Sequence, residues 1–335
     1  MTAKLLAGIL SAYVLAAVLI PAQHAKAAVL VPKIEGKWWQ VAGSPDLGKF
    51  TSQRQQPVDF AIWQAADGTW QLWSCIRSTA YPGWTRLFYR WQAKKLTDHD
   101  WRPMGIVMTS DPKLGEIEGM LQAPFVMRDH GQFLMFYGVG DKIALATSQD
   151  GKLFQRRLSQ DGKVGLFSDG FGTRDPVTLR IRGMFYTYYS ANPGTSFNAG
   201  DSSAANRAAL HLAGNADLLR ISPDLVHWSD ATIVAKGGEA GSESYSAECP
   251  FVYYHRKSGY YYLLRTQHYG ENAETRVYRS KDPKNFGIDD DRTLVETLPV
   301  AAPEIVESRG QLYIAALLPS LKGIQIARLD FVPKT

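Results

Sequence analysis

The stretch "ECPFVYYHRKSGYYYLL", residues 248–264, holds two aromatic runs on either side of Lys257–Gly259. An apolar run, a Gly-containing turn and a second apolar run describe a β-hairpin. Nothing in a hairpin calls for Glu248 at its entrance, and a carboxylate entering an apolar strand is costly to bury unpaired. The same plan occurs four more times, in "QQPVDFAIWQAADGTWQLWSCI" from 55, "QAPFVMRDHGQFLMFYG" from 122, "RDPVTLRIRGMFYTYYS" from 174 and "AAPEIVESRGQLYIAAL" from 301. Each unit opens on a proline, namely Pro57, Pro124, Pro176, Pro250 and Pro303, and proline fits the first residue of a strand, where its missing N–H costs little.

A second repeat follows three of these units. "SQDGKLF" (148–154), "SPDLVHW" (222–228) and "SKDPKNF" (280–286) share Ser-x-Asp-x-x-x-aromatic, with "TDHDW" near Trp101 as a worn fourth copy. Asp and Ser at turns hydrogen-bond the backbone they turn around, so these carboxylates read as structural and the aromatic as packing under neighbouring strands. Five units of three or four strands, with no helical periodicity of any length, predict an all-β chain folded as a five-bladed β-propeller. A β-sandwich is the alternative, and it gives no reason for the repeated proline.

The first strand of a propeller blade lines the central channel, so residues at each opening proline converge on one mouth. The pairs preceding the prolines are Gln55-Gln56, Gln122-Ala123, Arg174-Asp175, Glu248-Cys249 and Ala301-Ala302. Only the third and fourth supply carboxylates. An Asp and a Glu in one pocket are the equipment for cleaving a glycosidic bond, one group protonating the leaving oxygen and another attacking or activating water.

At these residues the chain resembles the five-bladed glycoside hydrolases, chiefly families 32, 43 and 68, through "RDP" at 174–176 and "ECP" at 248–250. The resemblance implies that Glu248 is the general acid, that Asp175 stabilises the transition state and orients the sugar, and that a blade-one Asp is nucleophile or base. The position expected for that Asp holds Gln56, whose amide does not titrate, and Asp59 is the nearest carboxylate and the candidate. Gln56, Gln122 and Arg174 are the expected substrate-binding residues. Arg174 is expected to hold Asp175 ionised, and a partly apolar wall is expected to keep Glu248 protonated. Glu304 and Asp141 read as rim or structural carboxylates. Trp63, Tyr245, His268 and Arg265 are weaker candidates for a sugar subsite, and the polar stretch 190–210 reads as an insertion that overhangs the channel or lies on the surface.

Composition agrees with this reading. The aromatic fraction is 12%, with 9 Trp and 16 Tyr, which suits a β protein with stacking surfaces. The formal net charge of +5 is spread without a long basic block, so nucleic-acid binding is not expected. Lys4, the uncharged run from Leu5 to Ile20, and the small-x-small site ending at Ala27 describe a signal peptide over 1–27, with residues 28–335 as one exported domain, secreted or periplasmic. Pro21 ends the run short of a bilayer span. No length remains for the β-sandwich that many family 32 enzymes carry after the propeller, which favours a family 43-like reading. Cys75 and Cys249 are expected to be unpaired, since a large core does not need a disulfide. No metal-ligand spacing, phosphate loop or nucleophile elbow stands out. The expected function is therefore an exported monomeric glycosidase acting on an oligo- or polysaccharide, with no cofactor and no metal. The alternatives are a sugar-binding propeller that has lost its chemistry and a sialidase-like propeller.

Overall fold

The computed structural model describes residues 28–170, 172–192, 215–243 and 245–334. The expected signal peptide and most of the 190–210 stretch lie outside the described residues. Twenty strands form five four-stranded antiparallel sheets. Blade one comprises β2 (Gln56–Gln64), β3 (Trp70–Arg77), β4 (Leu87–Ala93) and β5 (Arg102–Met108). Blade two comprises β6 (Gln122–Asp129), β7 (Gln132–Gly138), β8 (Ile143–Ser148) and the short β9 (Gln155–Arg156). Blade three is β10 (Arg174–Ile181), β11 (Met184–Ala191), β12 (Ala216–Ser222) and β13 (Thr232–Ala235), and blade four is β14 (Glu248–His255), β15 (Tyr260–His268), β16 (Glu274–Ser280) and β17 (Leu294–Leu298). No described helix is long and apolar enough to cross a membrane.

The fifth blade is built from both ends of the described chain. Its inner strands are β18 (Glu304–Ser308), β19 (Gln311–Leu317) and β20 (Gly323–Pro333), and its outer strand is β1 (Leu30–Gly43). β1 pairs with β20 from Leu30↔Pro333 to Gly43↔Gly323. The first and last strands thus close the ring within blade five, and among the described residues an isolated bridge, Lys236↔Ile288, links blades three and four.

Two local features explain the repeats. The inner hairpins of blades two, three and five turn on His130-Gly131, Arg182-Gly183 and Arg309-Gly310, all at positive φ, which is the two-residue turn whose twist matches the flanking strands. The Ser-x-Asp turns join the third strand to the fourth. Asp150 Oδ1 accepts from the Lys152 and Leu153 amides at 2.7 and 2.9 Å, and Asp224 Oδ1 accepts from Val226 and His227 at 2.8 and 2.9 Å. The aromatic that follows is driven between blades. Phe154 meets Trp63 and Trp73 of blade one at 5.8 and 5.3 Å, Trp228 meets Phe167 at 4.8 Å, and Phe286 meets Tyr188 at 6.3 Å. These carboxylates are structural, as their turn positions predict.

One buried polar knot fastens the connection between blades one and two. Glu116 has a fully buried side chain and receives Arg156 through Nε to Oε1 and Nη2 to Oε2, both at 2.8 Å. Tyr137 Oη donates to Oε1 at 2.9 Å, and the Asp111 amide donates to Oε2 at 2.7 Å. Glu116→Ala would leave the guanidinium and the phenol without their acceptor. Breaking a buried pair in this way costs about 3–5 kcal/mol, so urea unfolding of the Glu116→Ala protein should show a lower midpoint with an unchanged slope. An unchanged midpoint would show that the knot contributes nothing net.

Candidate active site

A feature of the inner strands creates the site. In every blade the strand carries one extra residue near its entrance, in the left-handed conformation: Asp59 (φ 42°), Ala123 (41°), Asp175 (56°), Cys249 (46°) and Ala302 (48°). The pairing shows the bulge directly. Val58↔Cys75 is followed by Phe60↔Ser74, Arg174↔Ser190 by Val177↔Tyr188, and Glu248↔Thr266 by Phe251↔Leu264. Such a bulge bends the strand and re-aims the inserted side chain.

This register corrects the sequence alignment of blade one. The residue equivalent to Pro124, Pro176, Pro250 and Pro303 is Phe60, not Pro57, and Asp59 occupies the bulge position of Asp175. Gln56 is therefore not the counterpart of a missing carboxylate. It lies behind the site, where its Oε1 accepts from Arg77 Nε at 2.9 Å, and it does not line the cavity. The loss of a blade-one acid, which supported the binding-only alternative, is removed as an argument. The count of five sheets likewise removes the sialidase-like alternative, a fold that normally has six blades.

A cavity of about 620 Å³ opens over the bulges and is lined by Asp59, Gln122, Arg174, Asp175 and Glu248 among others. The structure thus brings together all the expected site residues except Gln56. Gln122 is buried, and its Oε1 has no hydrogen-bond partner among the described residues. Carboxylate oxygens of Asp59 and Asp175 and the Cys249 sulfur lie within 4.8 Å of one another. Cys249 ties the two aspartates together: its amide donates to Asp175 Oδ2 at 3.0 Å and its thiol to Asp59 Oδ1 at 3.4 Å, and Tyr269 Oη lies 3.3 Å from the sulfur. Burial and the charges of Asp175 and Asp59 push the Cys249 thiol well up, so it serves as a donor rather than as a thiolate ligand. Cys75 is buried, and both cysteines are free thiols.

Arg174 does not act as its sequence neighbour suggests. It forks across to blade four, with Nη2 bonded to Glu248 Oε1 and Nε 3.5 Å from Oε2, while Asp175 Oδ2 lies 3.7 Å from its Nε. Asn215 Nδ2 also donates to Glu248 Oε1 at 3.2 Å. The wall around Glu248 is thus charged and polar, not apolar. Asp175 is not held ionised. Burial, then the negative charges of Glu248 and Asp59, push it up to about 7, with Arg174 and the Cys249 amide opposing only in part.

Of the weaker candidates, Tyr245 and His268 line the cavity. Trp63 does not, being buried between blades with its Nε1 donating to Gly151 O at 2.8 Å. Arg265 is also removed from it, 1% exposed and 3.5 Å from Asp217. Glu304 lines a channel of only about 40 Å³ that Asp59 also borders, where its Oε2 accepts from the Ile62 amide at 3.2 Å and burial pushes its carboxyl well up. Asp141 pairs with Lys142 at 3.8 Å and does not line the cavity. Sequence reasoning missed Arg77, Arg86 and Tyr269, which line it. The arginines stand at the end of a hairpin with no motif around them, and Tyr269 follows an aromatic-rich strand.

No protein-family model matches the sequence, and no curated protein matches it. Solved structures do. A thermostable family-43 glycoside hydrolase superposes with a TM-score of 0.57 at 17% identity, covering 84% of this chain and 91% of that one. An endo-arabinase from Bacteroides thetaiotaomicron gives 0.56 at 12% identity, with 86% and 97% covered. A family-32 β-fructofuranosidase from Bombyx mori gives 0.56 at 15% identity, with 87% and 61% covered. The chain therefore has the five-bladed propeller fold of these family 43 and family 32 structures.

Proposed function

We propose that the protein is an exported glycoside hydrolase that cleaves an oligo- or polysaccharide in the cavity over its channel. The observation that carries this reading is the convergence of three carboxylates from blades one, three and four on one cavity of sugar size. Its support from outside the chain is that the structural neighbours named above are glycosidases.

In this mechanism Glu248 gives a proton to the departing glycosidic oxygen, Asp59 attacks the sugar or activates a water, and Asp175 steadies the developing positive charge on the ring. Burial and the charges of Glu248 and Asp59 raise the Asp175 carboxyl to about 7. Arg174 touches both Asp175 and Glu248, so one guanidinium orients the acid that gives the proton and the carboxylate that faces the ring. The Cys249 donors hold the two aspartates in position.

Reducing-end release from a panel of plant, algal and microbial polysaccharides would identify a substrate. On it, Glu248→Gln and Asp59→Asn should each lower kcat by roughly 10²–10⁴-fold, the range of a lost acid or base, with the fold intact by circular dichroism. Turnover at the parental rate by either variant refutes the reading.

Asp175 gives a second test through pH. Its carboxyl is raised from 3.8 to about 7 in the folded protein. Between those values the folded state keeps a proton that the unfolded state has released, so stability falls as pH rises through this window. Asp175→Asn removes that loss. Its Tm advantage over wild type should grow from about pH 5 to about pH 8 while its turnover collapses. A variant less stable than wild type at about pH 8 would show that Asp175 is retained for structure.

A further inference from the structure

Arg77 and Arg86 stand out among the cavity residues because the proposed chemistry uses neither. Arg77 is the last residue of β3, and Arg86 immediately precedes β4. The β3–β4 pairing ends at Ile76↔Leu87, so the two arginines face each other one step further out. Like charges directly opposite on paired strands are destabilising. Both are half-buried and both line the cavity. Neither has a carboxylate within ion-pair distance among the described residues. Among the described residues the one side-chain bond of the pair is Arg77 Nε to Gln56 Oε1 at 2.9 Å, and both terminal nitrogens of Arg77 have no described partner.

The backbone that carries them is rigid. The Thr79 amide donates to Thr85 O at 3.2 Å, the Trp84 amide to Glu118 O at 3.0 Å and the Arg86 amide to Gly119 O at 2.8 Å. Gly83 and Gly119 pack so closely that a Cβ on Gly119 would lie 2.3 Å from Pro82 O. Thus the arginines are placed and kept together, and loop mobility does not relieve their repulsion. Two guanidinium forks on facing positions, with donors that lack a partner among the described residues, match a planar or tetrahedral oxyanion. The third cavity arginine, Arg174, is already committed to Glu248 and Gly172 O.

We propose that Arg77 and Arg86 form an oxyanion-binding subsite and that the cavity selects glycans bearing a negatively charged group, a carboxylate or a sulfate ester. This rests on the glycosidase reading for its substrate class, though the anion site itself does not depend on turnover. The neutral glycan is the competing substrate, and the repulsion of two unneutralised arginines weighs against it relative to the charged one.

The test uses inorganic sulfate. In thermal unfolding against sodium chloride at matched ionic strength, wild-type Tm should rise with sulfate and saturate, as for a bound ligand. The Arg77→Gln/Arg86→Gln protein should show only the unsaturating rise that sulfate gives proteins in general. In chloride its Tm should equal or exceed that of wild type, because a like-charge contact has been removed, whereas a structural role for the pair would lower it. Arg86→Lys, which keeps the charge and loses the fork, should show an intermediate response. Identical sulfate curves for wild type and the double variant overturn the proposal.

A glycan array probed with the Glu248→Gln protein separates the sources of the anion. Roughly tenfold stronger binding to uronates than to their methyl esters assigns a carboxylate, and the same preference for sulfated over desulfated glycans assigns a sulfate ester. Equal binding to charged and neutral partners overturns the selectivity. Hydrolysis of a neutral glycan by a protein without a sulfate site sinks this inference and leaves the glycosidase reading standing. A saturable sulfate site in a protein that turns over none of the charged or neutral glycans does the reverse.

Discussion

A single backbone constraint organises the site: each inner strand enters the channel through a residue forced into the left-handed conformation. Five non-glycine residues accept it, at a cost of roughly 1–2 kcal/mol each. What the bulge does is geometric. It shifts the strand by one residue and turns the inserted side chain toward the channel mouth. Because the bulge recurs at the same depth in all five blades, the side chains at that position form a ring of Asp59, Ala123, Asp175, Cys249 and Ala302. Two carboxylates, a thiol and two methyl groups make that ring asymmetric. The two alanines border only the narrow channel beneath, and the residues one step earlier, Gln122, Arg174 and Glu248, add the polar rim of the cavity.

This constraint also explains how far the sequence could be read. The number of blades was legible because the proline, the Gly turn and the aromatic return strand recur together, and each has a local cause. The blade-one carboxylate was misaligned for the opposite reason. Pro57 lies near enough to the entrance to resemble the opening proline, but the position is defined by the bulge, and there Phe60 stands where the other blades have proline. A bulge leaves no residue signature when Asp or Ala can occupy it. Ring closure by Leu30–Gly43 was also hidden, because a single strand pairing across the whole chain carries none of the hairpin cues. Arg174 shows a third limit: its sequence neighbour is Asp175, but its guanidinium reaches across a blade boundary to Glu248.

The electrostatics follow from the ring. Asp59, Asp175 and Glu248 crowd one cavity, with Arg174 as the cation in contact with Asp175 and Glu248. Burial penalises the charge on Asp175, and its two acidic neighbours add to that penalty. A fold under selection for stability alone would replace such a residue with Asn, which can still accept the Cys249 amide. Its retention as an acid is the kind of local conflict between stability and environment that marks functional sites. Cys249 moderates the conflict by donating to both aspartates. A thiol is suited to this place because it is compact enough for the ring, and its surroundings keep it protonated.

The opposite wall of the cavity is built by different means. There the charges are positive and their support is remote: Glu116, buried and gripped by Arg156 and Tyr137, anchors the segment whose Glu118 and Gly119 carbonyls hold the Trp84 and Arg86 amides. A chain of backbone bonds therefore runs from a buried ion pair between blades one and two to the guanidinium that lines the cavity. The acids on blades one, three and four are positioned by their own strands, whereas Arg86 is positioned by a loop stitched to a neighbouring connection. Arg77, by contrast, stands on β3, which pairs with the β2 strand that carries Asp59. Substitutions in the 109–120 segment can change what the cavity accepts without moving the bulges that carry Asp59, Asp175 and Glu248. Of the two arginines, Arg86 therefore depends on a connection that the fivefold repeat does not dictate, while Arg77 shares the hairpin of Asp59.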